Sequence, residues 1–209
     1  EAESSGVQLD VILYSAAISA CEKAEEWTLA LLLFQRLQSI HLEPNIINYN
    51  ATMTACEKAS HWEVTLHLLK EALFRRLRSD VISYAACASG CEKAAKWEEA
   101  LCLLRSAEIQ DVPINTILCN AVISACGTTD GWKLTFELMK KIEVMQLATD
   151  SYNAAIDACL DQWTQALGIF AELQKTPYAE PDLISFNSAM HGLCLAQKWQ
   201  HALHLLRYA

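Results

Sequence analysis

The sequence predicts an all-α protein, a right-handed α-α superhelix (solenoid) of stacked helix-turn-helix repeats. Three observations carry that expectation. Trp27, Trp62, Trp97 and Trp132 stand 35 residues apart, and Trp163 and Trp199 continue the series at intervals of 31 and 36. Cys21, Cys56, Cys91 and Cys126 give the same period independently. Gly (6) and Pro (4) are few among 209 residues, which suits long helices on short turns and disfavours a turn-rich β fold.

Residues 1–10 read as the tail of a preceding unit that ends at Asp10. Repeats then follow at 11–45, 46–80, 81–115 and 116–150, with a shortened one at 151–182 and a truncated one at 183–209. Together they make a single solenoid domain over 1–209. The first half of each repeat is helix A, VILYSAAISACEKA in the first and IINYNATMTACEKA in the second. Its sixth and tenth places are always small: Ala16/Ala20, Ala51/Ala55, Ala86/Gly90, Ala121/Ala125, Ala154/Ala158 and Ser188/Gly192. Places four apart share a helix face, so this stripe lets a neighbouring helix approach closely.

Helix B opens at the tryptophan and carries apolar residues at helical spacing, as in Trp27, Ala30, Leu31, Phe34 or Trp97, Ala100, Leu101, Leu104. The tryptophans at this fixed place are expected to pack between helix layers, not to stack on a ligand. Pro44, Pro113 and Pro181 fall in the connections to the next repeat, where a residue without an N–H is expected to end the helix. One hairpin cannot bury its own apolar face, so stability must accumulate by stacking. The last residues fall inside a helix B with no polar cap. The array is therefore expected to continue, or its ends to rest on a partner.

With 53% hydrophobic residues there is ample material for a core. The net charge of −9 argues against a surface devoted to polyanions while leaving room for a local basic stripe. Equivalent cysteines are a whole repeat apart. They read as small buried hydrophobes, in a reducing compartment, and not as a disulfide framework. No run of 18 apolar residues exists to span a membrane. Cys87 and Cys91, or His201 and His204, lack the paired short spacings of a zinc site, so no metal or other cofactor is expected. No Gly-rich phosphate loop, G-x-S-x-G or H-E-x-x-H occurs, so neither catalysis nor a small-molecule substrate is expected.

The 35-residue period, the pairs Tyr14-Ser15, Tyr49-Asn50, Tyr152-Asn153 and Phe186-Asn187, the lysines of CEKA and the endings Glu-Pro-Asn45 and Glu-Pro-Asp182 resemble the P-type pentatricopeptide repeat. Tetratricopeptide repeats fit poorly, because here the tryptophan opens helix B. The wording of the repeats is similar to that of family members abundant in dinoflagellate algae. The resemblance implies single-stranded RNA as partner, one base per repeat, in an organelle interior (plastid or mitochondrion).

The family's base-reading places are the fifth residue and the last. They fall here on Ser15/Asn45, Asn50/Asp80, Ala85/Asn115, Asn120/Asp150 and Asn153/Asp182, with Asn187 opening a sixth. By the family's code Asn/Asp pairs imply U and Ser/Asn implies A, a register of A-U-x-U-U read 5′ to 3′. Ile12, Ile47, Ile82, Ile117 and Ile184 would wedge between bases, and Lys23, Lys58 and Lys93 would face phosphates. Ala85 has no polar atom to read a base, and the fifth repeat lacks two residues before Ser151.

Other readings of the same residues stay open. Each lysine follows a glutamate (Glu22, Glu57, Glu92), so the stripe is either a phosphate track or a charge-balanced solvated face. The fifth-place asparagines either read bases or brace the next repeat. The acidic balance and the irregular repeats also suit a protein-binding scaffold, a structural subunit of a ribosome or a photosynthetic complex.

Overall fold

The computed structural model describes residues 11–127, 135, 138–139, 149–177 and 179–207. Residues 1–10, Trp132 and most of the fourth helix B lie outside them. Among the described residues every regular element is helical. In the first three repeats helix A is α1 (Val11–Lys23), α3 (Ile46–Lys58) and α5 (Val81–Lys93), and helix B is α2 (Trp27–Ser39), α4 (Trp62–Phe74) and α6 (Trp97–Ile109). Then come α7 (Thr116–Gly127), α8 (Thr149–Ala158), α9 (Trp163–Leu173), α10 (Leu183–Leu195) and α11 (Trp199–Leu206). Each described helix B begins on its tryptophan.

The chain forms two compact units. One draws its described residues from Glu1–Ala94 and Arg105–Pro113, the other from Ala95–Leu104 and Ile114–Ala209. In the first unit α1, α3 and α5 pack in sequence, α2 lies against α1 and α3, and α4 against α3 and α5. In the second, α8 packs on α7 and α10, α9 lies against α8 and α10, and α11 against α10. Helices α2, α4 and α9 thus each wedge between their own helix A and the next one. The expected small stripe makes the helix-A contacts possible: Ala55, Ala86, Gly90, Ala121, Ala125 and Ala158 are all buried. Where a tyrosine precedes the fifth place it anchors its helix; Tyr14, Tyr49, Tyr84 and Tyr152 are buried. Phe34 of α2 meets Tyr49 edge-on at 4.8 Å, and Phe170 of α9 meets Phe186 of α10 at 5.0 Å.

Cys21, Cys56, Cys91 and Cys126 are buried, as the period suggested. Burial pushes the Cys56, Cys119, Cys126 and Cys159 thiols up to about 11, the desolvation of a thiolate being the cause. The tryptophans are less enclosed than expected. Trp27, Trp62, Trp97 and Trp163 are half-buried and Trp199 is exposed. Two of them reach the following repeat: Trp27 lies 3.9 Å from the His61 ring and Trp163 lies 5.2 Å from that of His201.

The prolines do not end the helices. α2 stops at Ser39, well before Pro44, and α4 stops at the same station although Ser79 stands where proline would be. The stop at α1 to α6 and at α10 is a left-handed residue, His41, Arg76 and Asp111 after helix B and Glu25, Ser60, Ala95 and Gln197 after helix A, all with φ between 54° and 61°. The following N–H then bonds back into the helix, as Leu42 to Leu37, Leu77 to Ala72 and His61 to Cys56 at 2.9–3.3 Å. A non-glycine residue costs about 1–2 kcal/mol there. Two otherwise orphaned carbonyls gain hydrogen bonds of roughly 0.5–1.5 kcal/mol each, which offsets the cost and lets the turns dispense with glycine.

Candidate functional site

Helix A starts at a side-chain cap, and that cap organises the site. The last residue of one repeat is the N-cap of the next: Asn45, Asp80 and Asp182 each accept a hydrogen bond from the backbone N–H three residues on. The third helical residue, Asn48, Ser83 or Ser185, returns a bond to the cap N–H. All three of these side chains are fully buried.

The fifth residue of the preceding helix A joins this cap. Asn50 Nδ2 donates to Asp80 Oδ1 at 3.1 Å and Oδ2 at 3.3 Å, while the Ser83 hydroxyl donates to Asn50 Oδ1 at 2.6 Å. The second unit reproduces the triad: Asn153 Nδ2 donates to Asp182 Oδ1 at 3.2 Å, and Ser185 Oγ donates to Asn153 Oδ1 at 2.6 Å. The Ser185 backbone N–H, followed by its hydroxyl and the Asn153 amide, holds the Asp182 carboxyl below its ordinary value. At the first pair the partners change sense. Asn48 Nδ2 donates to Ser15 Oγ at 2.9 Å, and the Ser15 hydroxyl spends its proton on the Val11 carbonyl at 2.7 Å. Asn115 caps α7 through Leu118 N–H at 2.9 Å, but Leu118 has nothing to return, and the fifth residue of the preceding helix A is Ala85.

The shortened fifth repeat departs from the pattern. Helix α8 starts at Thr149, so Asp150 sits in its first turn, at the place isoleucine holds elsewhere, and is exposed. It is therefore not the cap that counting from the chain suggests. Asn120 Oδ1 and Ser151 Oγ, the counterparts of the two atoms joined at 2.6 Å in both triads, are buried without a hydrogen-bond partner among the described residues. Gly127 replaces the glutamate of earlier repeats because α8 comes too close for a side chain; a Cβ there would collide with Ala158 backbone. Asn187 is exposed on α10.

All five isoleucines project into solvent, from 56% exposure at Ile184 to 77% at Ile12. Each lies three residues before a fifth-place residue, hence on the same helix face. Solvated β-branched side chains beside a polar pair form a surface onto which a flat, polar-edged ring can settle.

The lysines are not a free cationic track. Lys58 pairs with Glu22 at 3.3 Å and Lys93 with Glu57 at 2.7 Å, each one repeat back. Glu57 also accepts the Ser89 hydroxyl at 2.7 Å. Lys23 occupies the same station on α1. Nothing in a single repeat reveals these pairs; they appear only when successive CEK triplets are set side by side. The third-residue side chains carry a signal in the chain itself, since Asn45-x-x-Asn48, Asp80-x-x-Ser83 and Asp182-x-x-Ser185 have the spacing of capping boxes.

Among the described residues, no three His, Cys, Asp or Glu side chains converge to hold a metal ion. No described helix is long and apolar enough to cross a membrane.

Residues 1–59 match the family model of the pentatricopeptide repeat domain. Among curated protein sequences none matches the chain. The chain is similar in structure to the pentatricopeptide repeat protein PPR10 from maize, at 21% identity and a TM-score of 0.66, over 90% of this chain and 27% of that one. PPR10 in complex with an 18-nt psaJ RNA element matches over 99% of this chain and 36% of that one, at 17% identity and a TM-score of 0.50. The pentatricopeptide domain of Arabidopsis thaliana protein-only RNase P 1, in complex with tRNA, matches at 13% identity and a TM-score of 0.62, over 75% of this chain and 84% of that one. This chain thus spans roughly a quarter to a third of PPR10. At these identities the likeness is one of fold.

Proposed function

We propose that the chain is a pentatricopeptide repeat protein throughout, as residues 1–59 match that family's model, and that it binds single-stranded RNA on the helix-A face, one base to each regular repeat. The observation that carries this reading is the series of five solvent-exposed isoleucines, each beside a fifth-place residue. Exposing aliphatic side chains at equivalent stations leaves apolar area in water, and stacking with bases would recover it. Two of the similar structures are complexes, one with an RNA element and one with tRNA, which supports the same ligand class.

The triads supply the selectivity. Asn50 spends one N–H on Asp80 and keeps the other, while Asp80 Oδ2 keeps acceptor capacity. A donor beside an acceptor complements uracil O4 and N3–H, and opposes the amino donor and ring acceptor of cytosine or adenine. Guanine shares uracil's pattern and differs in size. Ser15, its proton committed to Val11, offers only an acceptor, which suits the amino group of adenine or cytosine, and the family resemblance favours adenine of the two. Ala85 and the displaced Asp150 leave the third and fourth stations weakly selective, so the register becomes A-U-x-x-U.

The protein acts by occupancy, masking or positioning RNA, and its place of work is the organelle interior that the family resemblance implies. A second reading, a scaffold for other protein subunits, draws on the Glu22–Lys58 and Glu57–Lys93 pairs, which cancel the charge an RNA track would use. Fluorescence anisotropy with labelled AUUUU and ACCCC decides between them. An RNA reader binds the first more tightly, and Asn50→Ala with Asn153→Ala removes the difference; equal or absent binding of both oligomers favours the scaffold.

A further inference from the structure

We infer that the third residue of helix A, Ser83 or Ser185, is the positioning residue that sets which base the asparagine of the preceding repeat selects. The inference rests on the RNA-binding reading. An asparagine amide has two orientations of nearly equal shape, and exchanging its oxygen and nitrogen reverses donor and acceptor. Selectivity for uracil therefore requires that the amide be held one way.

Two independent triads hold it the same way. The carboxylate of Asp80 or Asp182 can only accept, so it faces Nδ2. The serine hydroxyl has one proton and two acceptors within reach: the Asn oxygen at 2.6 Å and the Asp oxygen at 3.0 Å for Ser83 or 2.9 Å for Ser185. The shorter contact takes the proton. The cap N–H of Asp80 or Asp182 meanwhile occupies the serine oxygen as acceptor, at 3.3 and 3.1 Å. The hydroxyl is thus driven to donate toward the amide, and both serines are fully buried, beyond the competition of water.

The other repeats vary this residue and the reader together. Where the third residue is Asn48, which donates through nitrogen, the reader is Ser15, serving as acceptor. Where it is Leu118, with no polar atom, the preceding fifth residue is Ala85. Where Ser151 is present but the capping acid is displaced, both Ser151 Oγ and Asn120 Oδ1 stand unpartnered among the described residues. A serine without the capping acid does not lock the amide.

The test combines Ser83→Ala and Ser185→Ala, separately and together, with the Ser→Thr variants. It has two readouts. In the RNA-free protein, NMR of the Asn50 and Asn153 side-chain amides reports their immobilisation. Anisotropy with oligomers carrying U or C at the two stations reports selectivity. We expect the alanine variants to lose the protection of the amide protons. We also expect each to lose about five-fold or more of the U-over-C preference at its own station only, the lower bound of what a well-placed pair contributes, with threonine restoring both. A general loss of affinity with selectivity intact is the mark of a merely structural serine and overturns the inference. So does an alanine variant whose amides stay protected. A wild type that binds neither oligomer refutes the RNA reading and this inference with it, and one that binds both without U-over-C preference refutes base selection and this inference; a selective wild type and an equally selective alanine variant refute the inference alone.

Discussion

The double substitution Glu22→Gln, Glu57→Gln should make RNA binding tighter at low salt and more sensitive to salt. Lys58 and Lys93 are held by these glutamates at 3.3 and 2.7 Å, with lysine side chains 35% and 42% exposed. Pairs this exposed contribute roughly 0–1 kcal/mol to stability, so the variant should fold. Glutamine keeps an oxygen for the Ser89 hydroxyl, which Glu57 binds at 2.7 Å. What changes is charge. A lysine already neutralised by a carboxylate releases no counterion on meeting a phosphate. Freed, each should add about −0.7 to the slope of log affinity against log salt on a single strand. Two lysines add about −1.4, so between 50 and 200 mM KCl the variant should lose roughly seven-fold more affinity than the wild type. Anisotropy titrations of a labelled U-rich oligomer across that range measure it. Identical slopes, or weaker binding by the variant at low salt, would refute the argument that these lysines lie within reach of phosphate and are masked.

Gly127→Ala should destabilise the chain while Gly90→Ala should not, by thermal or urea unfolding. A methyl at position 127 meets Ala158 backbone, an overpacking cost of about 1–3 kcal/mol that exceeds the gain of about 1 kcal/mol in helix propensity, whereas at 90 its nearest neighbours are at 3.4 and 3.5 Å and the gain remains. Of the nine cysteines, Cys102 and Cys194 are exposed, so a thiol reagent at pH 8 should modify these two quickly and the other seven only on unfolding. The folded Asp182 carboxyl lies below its ordinary value, so its contribution to stability is complete above about pH 4 and disappears as pH falls through the lowered value; Asp182→Asn should flatten the dependence of the melting temperature on pH below 4.

How much was legible depended on whether a feature repeats or pairs. Rare residues at a fixed period marked the helices well: every described helix B starts at its tryptophan, and the isoleucines predicted to wedge are all exposed. The helix stops are not legible in the sequence, because proline is a conspicuous breaker while a left-handed histidine or arginine such as His41 or Arg76 looks like any surface residue. The role of the lysines was hidden because their partners lie one repeat back, a relation that stacking creates. Asp150 was misplaced by counting along the chain: the two-residue deletion keeps Tyr152 in its buried anchor and shifts the acid into the first turn, since losing the aromatic anchor would cost more than losing a cap. The asparagines proved to be braced by the next cap while keeping one N–H to spare, so bracing and reading are not exclusive.

On the RNA-binding reading, bases settle on the helix-A face between isoleucine and asparagine. NMR of 15N-labelled protein that also carries isoleucine, leucine and valine methyl labels, titrated with a U-rich oligomer, reads this out. The Ile47, Ile82 and Ile184 methyls and the Asn50 and Asn153 side-chain amides should shift together and saturate, while the Leu31 and Val64 methyls, in the groove between α2 and α4, stay still. Shifts confined to that helix-B groove, or none anywhere at saturating oligomer, would contradict it.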